Sequence, residues 1–371
     1  MPVGAERMTG SSLPSARRIQ PGRATGGEVI RTLIRILALG VLGLGLWPPA
    51  QAAAQNDSGD DVRFHLRTAV ELVVVPVTAK DRRGQLVTDL AREEFRLWEN
   101  GAEQPIRYFS IDPFPLSAVI LVDAGLSPAA HEAVQATLAV LPSVFAPADE
   151  FALFVFDTYP RQRLEFTRDP ETLRVALDRL RQEAVAVPSG STGGPMTAGP
   201  RINQTPVGPG VPSTLPKASK SVKSIHDALY AAGLALRGRE PGRRRVVFIV
   251  SDGLNSRLNT HSFDETRDLL LEAEVSVYAL GVDNARFAVG GTVLTDYARA
   301  TGGDAYAPMK QDDLTRAWLQ VGEQARNQYT LVYAAPPAPG GREYRRIQVR
   351  VGRPGVELRA RDGYFAGLPL H

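Results

Sequence analysis

Three nearly continuous apolar runs constrain this 371-residue chain more than any other feature: "LSAVILVD" (116–123), "DEFALFVFD" (149–157) and "RRRVVFIVSDG" (243–253). Each has the length of a strand and lacks polar alternation, so each is expected to be covered on both faces, as in a parallel sheet. Stretches of helical spacing separate and follow them: "PAAHEAVQATLAVL", "DPETLRVALDRLRQEA", "SIHDALYAAGLALRG", "SFDETRDLLLEAE" and "QDDLTRAWLQVGEQARNQ". Asp169 and Pro170 make a helix start, and "VSVYALGV" (275–282) reads as a further strand. The alternation predicts an α/β fold: a doubly wound, mostly parallel, Rossmann-like sheet over residues 115–328.

The flanks read differently. Residues 62–112 begin with a long strand, "VELVVVPVTAKD", and Asn100-Gly101 marks a tight turn between strand-like runs. Thr88-Asp89 before "LAREEF" reads as a helix start, with Glu93 and Glu94 in its first turns. Residues 329–366 are strand-rich again. The two flanks are expected to pair into a smaller all-β domain around the α/β insertion. Residues 186–222 are dense in Pro, Gly, Ser and Thr, and read as a disordered loop within the α/β domain.

The N-terminus predicts export. Arg31 and Arg35 sit at the start of the apolar stretch 33–46, which only Arg35 interrupts, and Ala50-Gln51-Ala52 supplies a small-x-small cleavage site. Residues 1–54 therefore read as a Sec-type signal peptide and leader, with the true start placed near Val29; an uncleaved anchor is the alternative. The mature chain is then expected in the periplasm or outside the cell, with no transmembrane segment after cleavage. The leader also carries the basic excess. Arg7, Arg17, Arg18, Arg23, Arg31 and Arg35 face only Glu6 and Glu28 there, while the whole chain has 43 basic and 40 acidic side chains. The remainder is close to neutral, so no nucleic-acid partner is expected. The absence of cysteine excludes disulfides and thiolate sites.

In open α/β sheets, ligands bind outside the carboxyl ends of the strands. Asp123 and Asp252 close two of the apolar strands there, and the Ser127 hydroxyl lies four residues after Asp123. Carboxylates and hydroxyls are the donors that Mg²⁺ or Mn²⁺ would take. A plainer reading stands beside this one: Ser127-Pro128 is also an ordinary N-cap pair, and Asp252-Gly253 an ordinary turn. Asp157 and Asp283 read as turn or loop acids, and His131 and His226 as helix residues away from any metal spacing.

Strand-Asp-x-x-x-Ser-helix, followed by a strand ending in Ser-Asp-Gly, resembles a von Willebrand factor A (VWA) domain. The flanking segments resemble those of exported VWA-related proteins of Acidobacteria, and together the likeness spans about residues 64–366. In that family a metal-ion-dependent adhesion site (MIDAS) takes an Asp-x-Ser-x-Ser motif, a Thr on a second loop and an Asp on a third. The resemblance assigns Asp123, Ser127 and Asp252 to it. It also shows two departures: Gly125 stands at the first serine, and Lys223 at the threonine before "SIHDAL". An ammonium at Lys223 would repel a divalent cation and pair with Asp123 or Asp252 instead. Ser221 or Ser224 could substitute as an oxygen donor in a shifted register.

The resemblance implies an exported, non-enzymatic module that binds a protein partner at the strand-end rim. Capture of a partner carboxylate, through a cation or through Lys223 and loop amides, is the expected mode. Two alternatives remain at this point: a metal-assisted hydrolase using Asp123 and Asp252, and an envelope structural protein with a vestigial site. Neither acid has an evident nucleophile or general base beside it in sequence.

Overall fold

The structure is a computed structural model. It describes residues 71–186, 201–202, 205–206, 223–283, 285, 292–308, 310–338 and 340–367. The signal-peptide reading, the start of the first flank, most of the 186–222 loop and Ser221 lie outside the described residues.

The strands are β1 (Glu71–Asp81), β2 (Phe95–Glu99), β3 (Ala102–Gln104), β4 (Tyr108–Ser110), β5 (Leu116–Asp123), β6 (Glu150–Phe156), β7 (Pro160–Thr167), β8 (Arg201–Ile202), β9 (Thr205–Pro206), β10 (Arg244–Ser251), β11 (Val275–Gly281), β12 (Asp304–Tyr306), β13 (Tyr329–Ala335), β14 (Glu343–Val351), β15 (Val356–Arg359) and β16 (Gly363–Ala366). The helices are α1 (Pro128–Thr137), α2 (Leu141–Val144), α3 (Pro170–Ala186), α4 (Ile225–Arg237), α5 (Phe263–Glu272), α6 (Val293–Thr301) and α7 (Gln311–Arg326).

Six strands form the central sheet in the order β12-β11-β10-β5-β6-β7, parallel throughout except for the edge strand β7. Every residue of β5 and of β6 is buried, the burial that their unbroken apolar runs predict. Strand periodicity divides the core in two. Leu116, Ala118, Ile120 and Val122 of β5 face one cluster with α1, α2, α3 and α7. Val119 and Leu121 face the other, with α4, α5 and α6. Residue 123 continues the second set, so its carboxylate is directed toward the side where α4 begins.

The flanks form two four-stranded antiparallel sheets, β15-β1-β13-β4 and β16-β14-β2-β3, around a third core of Val75, Val77, Leu97, Leu331 and their neighbours. Asn100 (φ 47°) and Gly101 (φ 85°) make the tight turn between β2 and β3. The helix expected after Thr88-Asp89 is only a single 3₁₀ turn, Arg92–Glu94. Glu94 reaches back to the Ala91 N–H at 2.7 Å, and Phe95 then enters β2 and its core, so the chain turns into a strand instead of extending the helix.

The β sheets are bolted to the α/β sheet by a buried polar hub. Arg244, at the start of β10, donates to the Gln328 carbonyl (2.8 Å), the Gln328 side-chain oxygen and the Thr330 hydroxyl (3.2 Å). Burial pushes its guanidinium down to about 10. Gln328 Nε2 donates onward to the hydroxyls of Thr78 on β1 (3.1 Å) and Tyr278 on β11 (3.2 Å). Gly302 (φ 76°) closes α6, and a Cβ there would lie 2.4 Å from the Arg361 nitrogen, so only glycine permits the two units to approach there.

Candidate functional site: a strand-end rim with a buried ammonium

Asp123 is the last residue of β5, and Asp252 is the first residue after the neighbouring parallel strand β10. Both are buried, Asp123 completely. Their shared neighbour is Lys223, whose side chain is 4% exposed. Its Nζ lies 2.7 Å from Asp252 Oδ2 and 3.2 Å from Asp123 Oδ2. Neither contact has good hydrogen-bond alignment. The ammonium therefore acts as a compact point charge between the two carboxylates.

The outer oxygens are held by the surrounding loops. Asp123 Oδ1 accepts from the Gly125 N–H (2.7 Å), and its Oδ2 also accepts from the Ser251 hydroxyl (2.7 Å). Asp252 Oδ1 accepts from the Leu254 N–H (3.0 Å). Burial raises the Asp123 carboxyl above the ordinary carboxylate range; Lys223, Ser251 and Gly125 oppose the shift without cancelling it. The neighbouring Asp252 charge adds only a small further push in the same direction as burial.

The peptide group that follows Lys223 is held at both its ends. Its carbonyl accepts from the Ser256 N–H (2.7 Å), and the Ser224 N–H donates to the Asp157 carbonyl (2.8 Å). The Asn255 side-chain oxygen then accepts the Ile225 N–H (3.0 Å), capping α4 from the neighbouring loop. His226 bridges the same region, lying 2.8 Å from Asn255 Nδ2 and 2.7 Å from the Tyr297 hydroxyl. Burial lowers its imidazole below the ordinary histidine value despite Asp227 nearby.

Of the residues singled out by sequence, the structure brings Asp123, Asp252 and Lys223 together. Ser127 accepts the Ala130 N–H (3.3 Å) as the N-cap of α1, which is the plainer of its two readings. Ser224 contributes its backbone N–H, while its buried hydroxyl has no hydrogen-bond partner among the described residues. Asp157 sits at the rim through its carbonyl, but its carboxylate pairs with Arg161. Sequence reasoning missed Ser251. It is one step beyond the Val250↔Val122 pair, on the same face as Asp123, and the Ser-Asp-Gly motif already placed a hydroxyl before the acid. It also missed Asn255, whose role depends on how the loop folds back onto α4.

Among the described residues no group of three or more His, Asp or Glu side chains is arranged to hold a metal ion. Mg²⁺ takes near-octahedral oxygen ligands at about 2.1 Å. With the Lys223 ammonium against one oxygen of each acid, the residues present do not fit such an ion.

Counted from β5, the central sheet has the order 3-2-1-4-5-6 with strand 3 antiparallel at the edge. That order, with acids at the ends of strands 1 and 4, is a doubly wound, Rossmann-like α/β fold. No family model and no curated protein matches the chain. Solved structures that it resembles include a von Willebrand factor type A protein from Catenulispora acidiphila, at 10% identity and TM-score 0.40, covering 79% of this chain and 73% of that one. BatB, a conserved hypothetical protein from Bacteroides thetaiotaomicron, is similar at 15% identity and TM-score 0.36, with 56% and 99% covered. Proximal thread matrix protein 1 from the mussel byssus, described with a zinc-occupied MIDAS motif, is similar at 16% identity and TM-score 0.39. That likeness covers 62% of this chain and 50% of the mussel chain, so the chain spans about half the length of that protein.

Proposed function

We propose that this chain is an exported, non-enzymatic interaction module that binds a protein partner at the strand-end rim of its VWA-type domain. The observation that carries the reading is the retained pair of acids at adjacent strand ends, with three loops tied around them. The Asp157 turn, the Lys223-Ser224 entry to α4 and the loop after Asp252 are linked by main-chain hydrogen bonds into one surface.

That surface carries exposed apolar side chains: Tyr159 (69% exposed), Leu254 and Leu258 (74% exposed). A large aromatic and two leucines on a hydrogen-bonded rim are the kind of anchor that protein interfaces use. Capture of a partner carboxylate by Lys223 is not supported, because its ammonium is enclosed and already faces two carboxylates. The same enclosure counts against the hydrolase alternative, since both acids are engaged internally. No helix among the described residues is long and apolar enough to cross a membrane. Export rests on the N-terminal sequence, and sequencing of the mature N-terminus from cell fractions tests it.

The rim is tested by crosslinked recovery from envelope extracts with wild type, Tyr159→Asp and Leu258→Asp. A protein recovered with wild type and lost with both rim variants is expected. Equal recovery with all three would reject the rim as the binding surface.

A further inference from the structure

We infer that Lys223 is a tethered replacement for the divalent cation of this site, holding the strand-end rim in a single state whatever the metal concentration. The inference deepens the reading of the rim as an adhesion-type surface and rests on it.

The ammonium occupies the point that a bridging ion would need. It contacts one oxygen from each of the two strand-end acids at 2.7 and 3.2 Å, so an ion bound to the same pair would overlap it. The other oxygens of the two acids and of Ser127 are already engaged; the Ser224 hydroxyl, with no hydrogen-bond partner among the described residues, supplies a single donor and no shell. The second oxygen of each acid accepts a backbone N–H, and Ser127 caps its helix. The first-serine position is Gly125, which has no hydroxyl to offer.

The tether is rigid. Main-chain hydrogen bonds from Ser256 and to Asp157 pin both ends of the peptide group that follows the Lys223 Cα, and α4 starts two residues after Lys223. A bound metal exchanges with solvent; a side chain on a pinned backbone does not. The ammonium also differs from a metal in chemistry. It has N–H donors but no open coordination position, so it cannot hand a vacant site to a partner's carboxylate. The rim is therefore preformed, its partner surface is made of side chains, and chelators leave it unchanged.

The test uses the mature full-length chain and Mn²⁺ alone as probe, followed by the loss of the free-Mn²⁺ paramagnetic resonance signal. Wild type is expected to take up no stoichiometric Mn²⁺ and to show the same melting temperature with Mn²⁺ or with EDTA. Lys223→Thr removes the ammonium and supplies a hydroxyl. It is expected to take up stoichiometric Mn²⁺ and to be stabilised by it, as any ligand specific to the folded state stabilises. Lys223→Met removes the charge without adding an oxygen and is expected to bind Mn²⁺ more weakly than Lys223→Thr. Stoichiometric uptake by wild type would overturn the inference, and this arm decides the matter even if a variant fails to fold. A folded Lys223→Thr that takes up no Mn²⁺ would also overturn it. Both readouts use isolated protein, so failure to find a partner would leave the result standing, and Mn²⁺ uptake by wild type would leave a partner-binding rim standing.

Discussion

At the scale of single residues, the site is an ion triad taken out of water. Two buried carboxylates repel one another, and Lys223 is the charge that makes their burial tolerable. Removing it leaves an uncompensated charge, so Lys223→Met is expected to lose about 3–5 kcal/mol in urea unfolding without metal. Asp123→Asn combined with Lys223→Met removes one charge of each sign and is expected to lose less than Lys223→Met alone. Ser251→Ala deletes a buried donor to Asp123 and is expected to cost about 1–3 kcal/mol. Gly253 turns the chain after Asp252 at φ 72°, and a Cβ there would lie 3.0 Å from Thr292. Gly253→Ala should then cost about 1–2 kcal/mol for the left-handed backbone alone. These residues were unequally legible. Asp123 and Asp252 stand out because each ends an apolar run, and Lys223 stands out against the family pattern. That one ammonium touches both acids depends on side-chain packing across two loops, which no local spacing encodes.

At the scale of elements, legibility followed burial. Strands β5, β6 and β10 announce themselves because both faces are covered and their central positions are all apolar. The edge strand β7 does not. It carries Arg161, Arg163 and Glu165, is half solvated, and pairs antiparallel with a register shift, so its hydropathy has neither strand signature. Strand β12 is three residues long, too short for any period to register. At the opposite end of the sheet from the rim, Glu150 opens β6 and accepts from Arg239 (2.8 and 2.7 Å) and the Ser117 hydroxyl (2.7 Å). Burial pushes its carboxyl up, but these bonds and the Arg243 charge outweigh burial and hold it below the ordinary value. A depressed carboxyl stabilises the fold above its unfolded value, and that contribution is lost as pH falls through the folded value. The melting-temperature gap between wild type and Glu150→Gln is therefore expected to be widest near neutral pH and to close below about pH 4.

At the scale of the whole molecule, the flanks and the α/β sheet share one buried polar hub. Arg244, Gln328, Thr330, Thr78 and Tyr278 connect β1, β10, β11 and β13. Neither unit can leave without stranding a buried guanidinium or amide. Calorimetry is expected to show one cooperative transition, and Gln328→Ala to lower its midpoint without splitting it. Two separate transitions in wild type would show that the hub does not couple the units. The sequence predicted that the flanks would pair with each other, from their strand-rich composition. It did not reveal the hub, because Arg244 is one of three arginines opening the run 243–253 and nothing local marks it as the one the β strands cover. The central claim is that the rim is built around the Lys223 ammonium in place of a metal. Its most direct test is a crystal structure grown with excess Mn²⁺ and measured above the manganese absorption edge. No anomalous density is expected between Asp123 and Asp252, with Lys223 Nζ in that position. An anomalous peak there, with Lys223 displaced, would contradict it.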